Sequence, residues 1–194
     1  MNTLFHKTKQ YDLKPSVMCQ LFDAFVGATL NYGCEIWGFG KAKEIERIHL
    51  KFCKRLLNVK MSTCTNSIYG ELGRFPLFIN RYVRIVKFWC KTVSTENILI
   101  RKLYECLLVT KNNKSNWAYN VKSLLDEYGF SYVWNNPGSV DLNKFHLVFR
   151  NRVIDVFKQS WGNKISDSNA MFTYGYIKSI FELEFYLDML PKKV

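Results

Sequence analysis

"SIYGELGRFPLFINRYVRIVKFW", residues 67–89, sets two glycines, an arginine and a proline ahead of a long run of apolar and basic residues. Thr65, just before it, suits a helix cap. Gly73 suits a helix stop in the left-handed conformation that glycine tolerates, and Pro76 opens the next helix with its φ already set. At Gly73 an Asn, which accepts positive φ, is expected to cost less than a Val. "GRFP", residues 73–76, therefore reads as a tight corner between two helices, with Arg74 at the bend. Beyond it a helix is predicted over about 76–93. Tyr82, Ile85, Val86, Trp89 and Val93 fall in one arc of its wheel; Arg81, Arg84, Lys87 and Lys91 fall in another. No acidic residue lies between Leu72 and Thr95, so the second arc carries a single sign.

The same grammar extends outward. Pro15 and Gly33 bracket a mostly apolar helix, "SVMCQLFDAFVGATLNY", residues 16–32. A second helix is expected over about 41–59. Its apolar arc is Ile45, Ile48, Phe52, Leu56 and Val59, with Lys43, Arg47, Lys51 and Lys54 opposite. Further helices are expected near 96–110, 117–128, 141–160 and 172–190, with "FSYVWNNPGS", residues 130–139, as a short insert. Strand-like alternation is weak throughout. The expected fold is all-α, a multi-helix bundle with a soft boundary at 110–116.

Composition agrees: 48% of the residues are hydrophobic and 16% aromatic, a packed protein and not a disordered one. The formal charge of +12 is lopsided, because residues 1–114 carry +11 of it. A basic half of this size points first to nucleic acid and second to an acidic membrane surface. The amino-terminal "MNTLFHKTKQ" is too polar for a signal peptide, and no apolar run is long enough to span a bilayer. The six cysteines are widely spaced and form no C-x-x-C pair. They read as free thiols of a reducing compartment, nuclear or cytoplasmic. The sequon at Asn113 then means little.

Catalytic patterns are missing. No adjacent Asp-Asp pair is available for two-metal chemistry. Glu182 and Glu184 stand two apart and would face different ways on a helix. His49 and Cys53 have the spacing of two zinc ligands but no visible second pair, which favours a core histidine and a buried thiol. His146 has no partner legible in sequence. No cofactor or metal is expected. Arg74, Arg81, Arg84, Lys87 and Lys91, with Arg47, Lys51 and Lys54 on the earlier helix, are the candidate phosphate contacts. Tyr82 and Trp89 read as core, not as base-stacking platforms.

Three blocks carry a resemblance. "LFDAFVGATLNYGCEIWGF", "IERIHLKFCKRLLNV" and "SIYGELGRFPLFINRYVRIVKFW" resemble, in the same order, the segment after the palm of non-LTR retrotransposon reverse transcriptases of the jockey-like LINE group. "VKSLLDEYGFSYVW", "FRNRVIDVFKQSW" and "YIKSIFELEFYLDML" are similar to that family's next region. The resemblance implies a thumb-like basic subdomain, residues 1–110, followed by a helical connector, 111–194. Such a thumb grips the backbone of the template–primer, RNA–DNA hybrid included, and Arg74, Arg81 and Arg84 match its "GR" and basic helix. The family's RNA-directed DNA polymerase centre, with its aromatic-Ala-Asp-Asp motif, has no counterpart here. The chain alone is therefore expected to be no enzyme, and its natural partner is the rest of such a polypeptide. Two functions stay open: a nucleic-acid-binding fragment, or a helical remnant of a transposable element, inert or reused for protein contacts.

Overall fold

Pro15 begins helix α1, Pro15–Leu21, in the computed structural model, which describes residues 13–40, 42–110, 116–168 and 171–189. The chain continues through a π-helical turn, Phe22–Gly27, into α2, Ala28–Leu30. The expected single α-helix over this stretch thus takes a wider turn in its middle. Gly33, at φ +63°, ends it and leads into α3, Cys34–Trp37. There follow α4, Lys43–Leu56, then α5, Thr65–Glu71, and α6, Leu77–Val93. After these come α7, Ile98–Val109, capped by Asn97, and α8, Trp117–Glu127, capped by Asn116. Last are α9, Ser131–Asn135, then α10, Leu142–Ser166, and α11, Phe172–Ile177. The fold is all-α, with no strand among the described residues.

The helices sort into two compact units. One takes the chain up to Tyr32, Lys43–Leu77, and everything from Phe157 on; the other takes Gly33–Ala42 and Phe78–Val156. The expected boundary at 110–116 and the sequon at Asn113 lie mostly outside the described residues.

In the first unit Met18, Phe22, Phe52, Ile68, Leu72, Trp161, Phe181 and Leu187 share one buried cluster. Phe22 stacks on Phe52 at 4.3 Å between centroids, and Phe181 stacks on Phe75 at 4.9 Å. Both glycines of "SIYGELGR" serve this cluster. Gly73 is left-handed, φ +55°, as the corner requires. A Cβ there would also stand 2.3 Å from the backbone nitrogen of Leu183 and 2.4 Å from the carbonyl carbon of Glu182. Any side chain there meets the same backbone, so a tolerance of positive φ relieves only part of the cost. Gly70 lies against Trp161 and Tyr174, 2.8 Å and 2.5 Å from an added Cβ.

The returning chain is tied to α5 at each step. Trp161 Nε1 donates to the carbonyl of Asn66 at 2.9 Å, and Tyr174 Oη to that of Ser67 at 3.2 Å. Leu72 and Leu183 form an isolated bridge, and the Glu184 N–H donates to the Glu71 carbonyl at 3.0 Å. The helix expected over 172–190 is accordingly only α11 and a 3-10 turn, Phe185–Asp188. Between them the backbone pairs with Glu71 and Leu72 at the end of α5, and bonds to itself only in a local turn, Glu182 N–H to the Ile180 carbonyl at 3.2 Å.

In the second unit α6 is central. Ile79, Tyr82, Ile85, Val86 and Trp89 are buried along it, as are Val121, Leu124 and Leu125 of α8 and Phe145, Phe149 and Val153 of α10. Trp89 stacks on Trp134 at 5.7 Å and gives its N–H to Tyr104 Oη at 3.0 Å. The stretch read as an insert contains α9 and packs Phe130 edge-on to Phe145 at 5.1 Å.

Candidate functional site

Positions 84, 87 and 91 lie one turn apart on α6, so their side chains emerge along one face. Arg84, Lys87 and Lys91 are all exposed there. Arg84 sends Nε and Nη2 to Glu35 Oε1, at 2.8 Å and 2.6 Å. Glu35 is held by α3, whose position is fixed in turn by Trp117 Nε1 donating to the Glu35 carbonyl at 2.9 Å. Burial alone would raise the Glu35 carboxyl, but its own backbone N–H and the Arg84 guanidinium outweigh that and hold it below the usual range. Lys87 and Lys91 have no ion-pair partner among the described residues. Phe88, 39% exposed, sits between them and meets Trp117 edge-on at 5.7 Å. Glu35, Ile36, Arg84, Lys87, Phe88 and Lys91 line a groove of about 530 Å³. An apolar groove of about 440 Å³ continues from Ile36, Phe88 and Lys91 onto Leu103, Tyr104 and Leu107 of α7.

The other candidate contacts are placed differently. Arg81 is fully buried. It stands four residues before Ile85 and eight before Trp89, a spacing that already put it on the core side. Lys54 is also buried, and its Nζ donates to the Met61 carbonyl at 2.6 Å. On α4 the inward arc is His49, Phe52 and Cys53, while Ile48 is exposed, so the helix is turned from the expected face. Arg47 and Lys51 are exposed, Arg47 paired with Glu44 at 2.5 Å.

Arg74 is built into the first unit. Its guanidinium is forked onto Asp23, with Nη1 3.1 Å from Oδ2, and lies over the Phe22 ring at 5.4 Å. Its Nε donates to His49 Nε2 at 2.7 Å, so that ring is a neutral acceptor with its proton on Nδ1, 3.9 Å from Glu46. Burial is the chief reason the His49 pKa is lowered, and the Arg74 charge adds to it. Burial works against the Arg74 charge as well, but the bond to Asp23 outweighs it and the pKa rises. Cys53 is buried close by, its thiol pushed up to about 12 by burial. His49 and Cys53 thus serve this interior, and among the described residues no group of three or more His, Cys, Asp and Glu could hold a metal.

Two features had no legible signal. Lys178 is buried and paired with Glu184, a contact made only because the chain after α11 stays extended. A pocket of about 60 Å³ lies between the last turns of α6 and the first turn of α10, lined among others by Lys87, Lys91 and His146. No described helix is long and apolar enough to cross a membrane. No family model, no curated protein and no solved structure matches this chain.

Proposed function

We propose that this chain is a nucleic-acid-binding fragment, the thumb and connector of a LINE-type reverse transcriptase, that seats a template–primer backbone on the exposed face of α6. The observation that carries the reading is the one-signed row Arg84, Lys87 and Lys91, beside exposed Phe88, on a stretch with no acid between Leu72 and Thr95. Lys87 and Lys91 release counterions from phosphates, Arg84 joins them by exchanging Glu35 for a phosphate, and Phe88 offers an apolar edge to a sugar or an unstacked base. Buried Arg81 and anchored Arg74 hold the fold on this reading and do not touch the ligand. The chemistry on offer is binding and positioning, with nucleotide addition left to a separate catalytic centre.

The test is fluorescence anisotropy with a labelled RNA–DNA hybrid across a salt series. On a B-form DNA duplex titrated alongside it, Lys87 and Lys91 predict a log–log slope of about −1.8 from this face, and about −2.7 where Arg84 also leaves Glu35 for a phosphate. The triple variant Arg84→Ala, Lys87→Ala, Lys91→Ala should lose most of that slope and weaken binding for unrelated sequences alike, since phosphates carry no sequence information. Equal affinity and slope in the folded variant would refute the reading. A second reading, protein contact by a reused helical body, draws on α7. That helix buries none of its residues and exposes Ile98, Leu99, Leu103, Leu108 and Val109. Its signature is a triple variant that binds nucleic acid as wild type does.

A further inference from the structure

Lys87 and Lys91 line two spaces at once: the open groove on the α6 face and the small pocket between α6 and α10. Asn143 and His146, from the first turn of α10, line the pocket opposite them. His146 Nδ1 is buried with no hydrogen-bond partner, a cost that native structures rarely carry without a ligand or water to relieve it. Ser94, at the rim, has already given its hydroxyl proton to the Cys90 carbonyl at 2.8 Å. Asp141, the nearest acid in sequence, does not line the pocket; its Oδ1 accepts the Asn143 N–H at 3.0 Å.

We propose that this pocket is an oxyanion subsite, taking one phosphodiester group of the backbone that runs along α6, held by Lys87 and Lys91 and by the side chains of Asn143 and His146. The assignment rests on the nucleic-acid reading and deepens it. At about 60 Å³ the space admits a phosphoryl group and is too small for a nucleobase. Two ammonium groups supply charge without a fixed fork, and the amide and imidazole supply direction, which suits a tetrahedral anion with several acceptor oxygens. Because both lysines also face the groove, a backbone following them passes the pocket mouth.

The experiment uses the full chain and two probes. The ring protons of His146 are followed by NMR while inorganic phosphate, acetate or chloride is added at constant pH and ionic strength. A saturable shift with phosphate, weaker with acetate and absent with chloride, is expected, and it should vanish in Lys87→Ala/Lys91→Ala. The same shift with every anion means an adventitious ion only, and overturns the assignment. Anisotropy with the RNA–DNA hybrid then compares wild type with His146→Leu, which keeps bulk but no ring nitrogen, and with Asn143→Ala at an exposed position. Each should weaken binding by up to about tenfold, one charge-assisted hydrogen bond lost. Wild-type affinity in both folded variants, with Arg84→Ala still harmful, overturns the pocket and leaves the α6 reading intact. Phosphate binding by a protein that binds no nucleic acid overturns both the backbone assignment and the reading beneath it.

Discussion

At Gly73 two constraints coincide, a positive φ and the backbone of Glu182 and Leu183 where a Cβ would stand. Gly73→Ala, Gly73→Asn and Gly73→Val should therefore all destabilise, by about 2 kcal/mol or more, in urea titrations. An Asn variant as stable as wild type would show that the 182–183 backbone yields. The left-handed turn was legible from the residue type; the second constraint comes from a segment more than a hundred residues away and was not. His49 tells the same story, since nothing local announces its bond to Arg74. Its lowered pKa has a testable sign. The unfolded state binds the proton more tightly, so stability is full above the ordinary value of 6.5 and declines as pH falls below it. His49→Gln, whose amide oxygen can still accept from Arg74, should flatten the stability profile between about pH 7 and 5. Identical profiles would place the proton uptake elsewhere. Arg74→Met should cost about 2 kcal/mol, because His49 and Asp23 lose their donor, a figure held down by Asp23 being 55% exposed. The same change should leave the salt slope of nucleic-acid binding untouched; a slope lower by about one would return Arg74 to the interface.

Among the elements, those with strong periodicity and clear punctuation were legible: α6, α7 and α8 stand within a few residues of their expected bounds. The periodicity went astray where polar residues have buried roles. Lys54 and Arg81 are interior, and a wheel drawn from hydropathy alone pushes both outward. The stretch after α11 failed for a different reason: its helical pattern is overridden by backbone bonds to α5. The start of α6 offers a clean measurement. Its first N–H, on Leu77, donates to Glu46 Oε2 of α4 at 3.0 Å, a cap supplied by another helix. Glu46→Ala should cost about 1 kcal/mol, comparable to removing an ordinary N-cap. Amide exchange should quicken over the first turn of α6 more than over its last. Uniform protection along the helix would show that the cap contributes nothing.

Across the whole molecule the chain enters the first unit, leaves it, returns, leaves again and closes it only from Phe157 onward. A protein ending at Val156 should lose exchange protection over 43–71, where Gly70, like Gly73 just beyond, would face no partner, while 78–109 keeps most of its own. Retained protection over 43–71 would show that the early segments hold themselves together. On a ribosome this order of assembly has a temporal consequence. Chains emerge at roughly 5–20 residues per second, so the seventy-nine residues between Leu77 and Phe157 take on the order of 4 to 16 seconds. For that interval Met18, Phe22, Phe52 and Ile68 are already made, and the tryptophan and phenylalanines that cover them are not. A nascent chain is at its most vulnerable to aggregation in that window, and a holdase that binds exposed apolar segments would act on it then, before the final helices arrive.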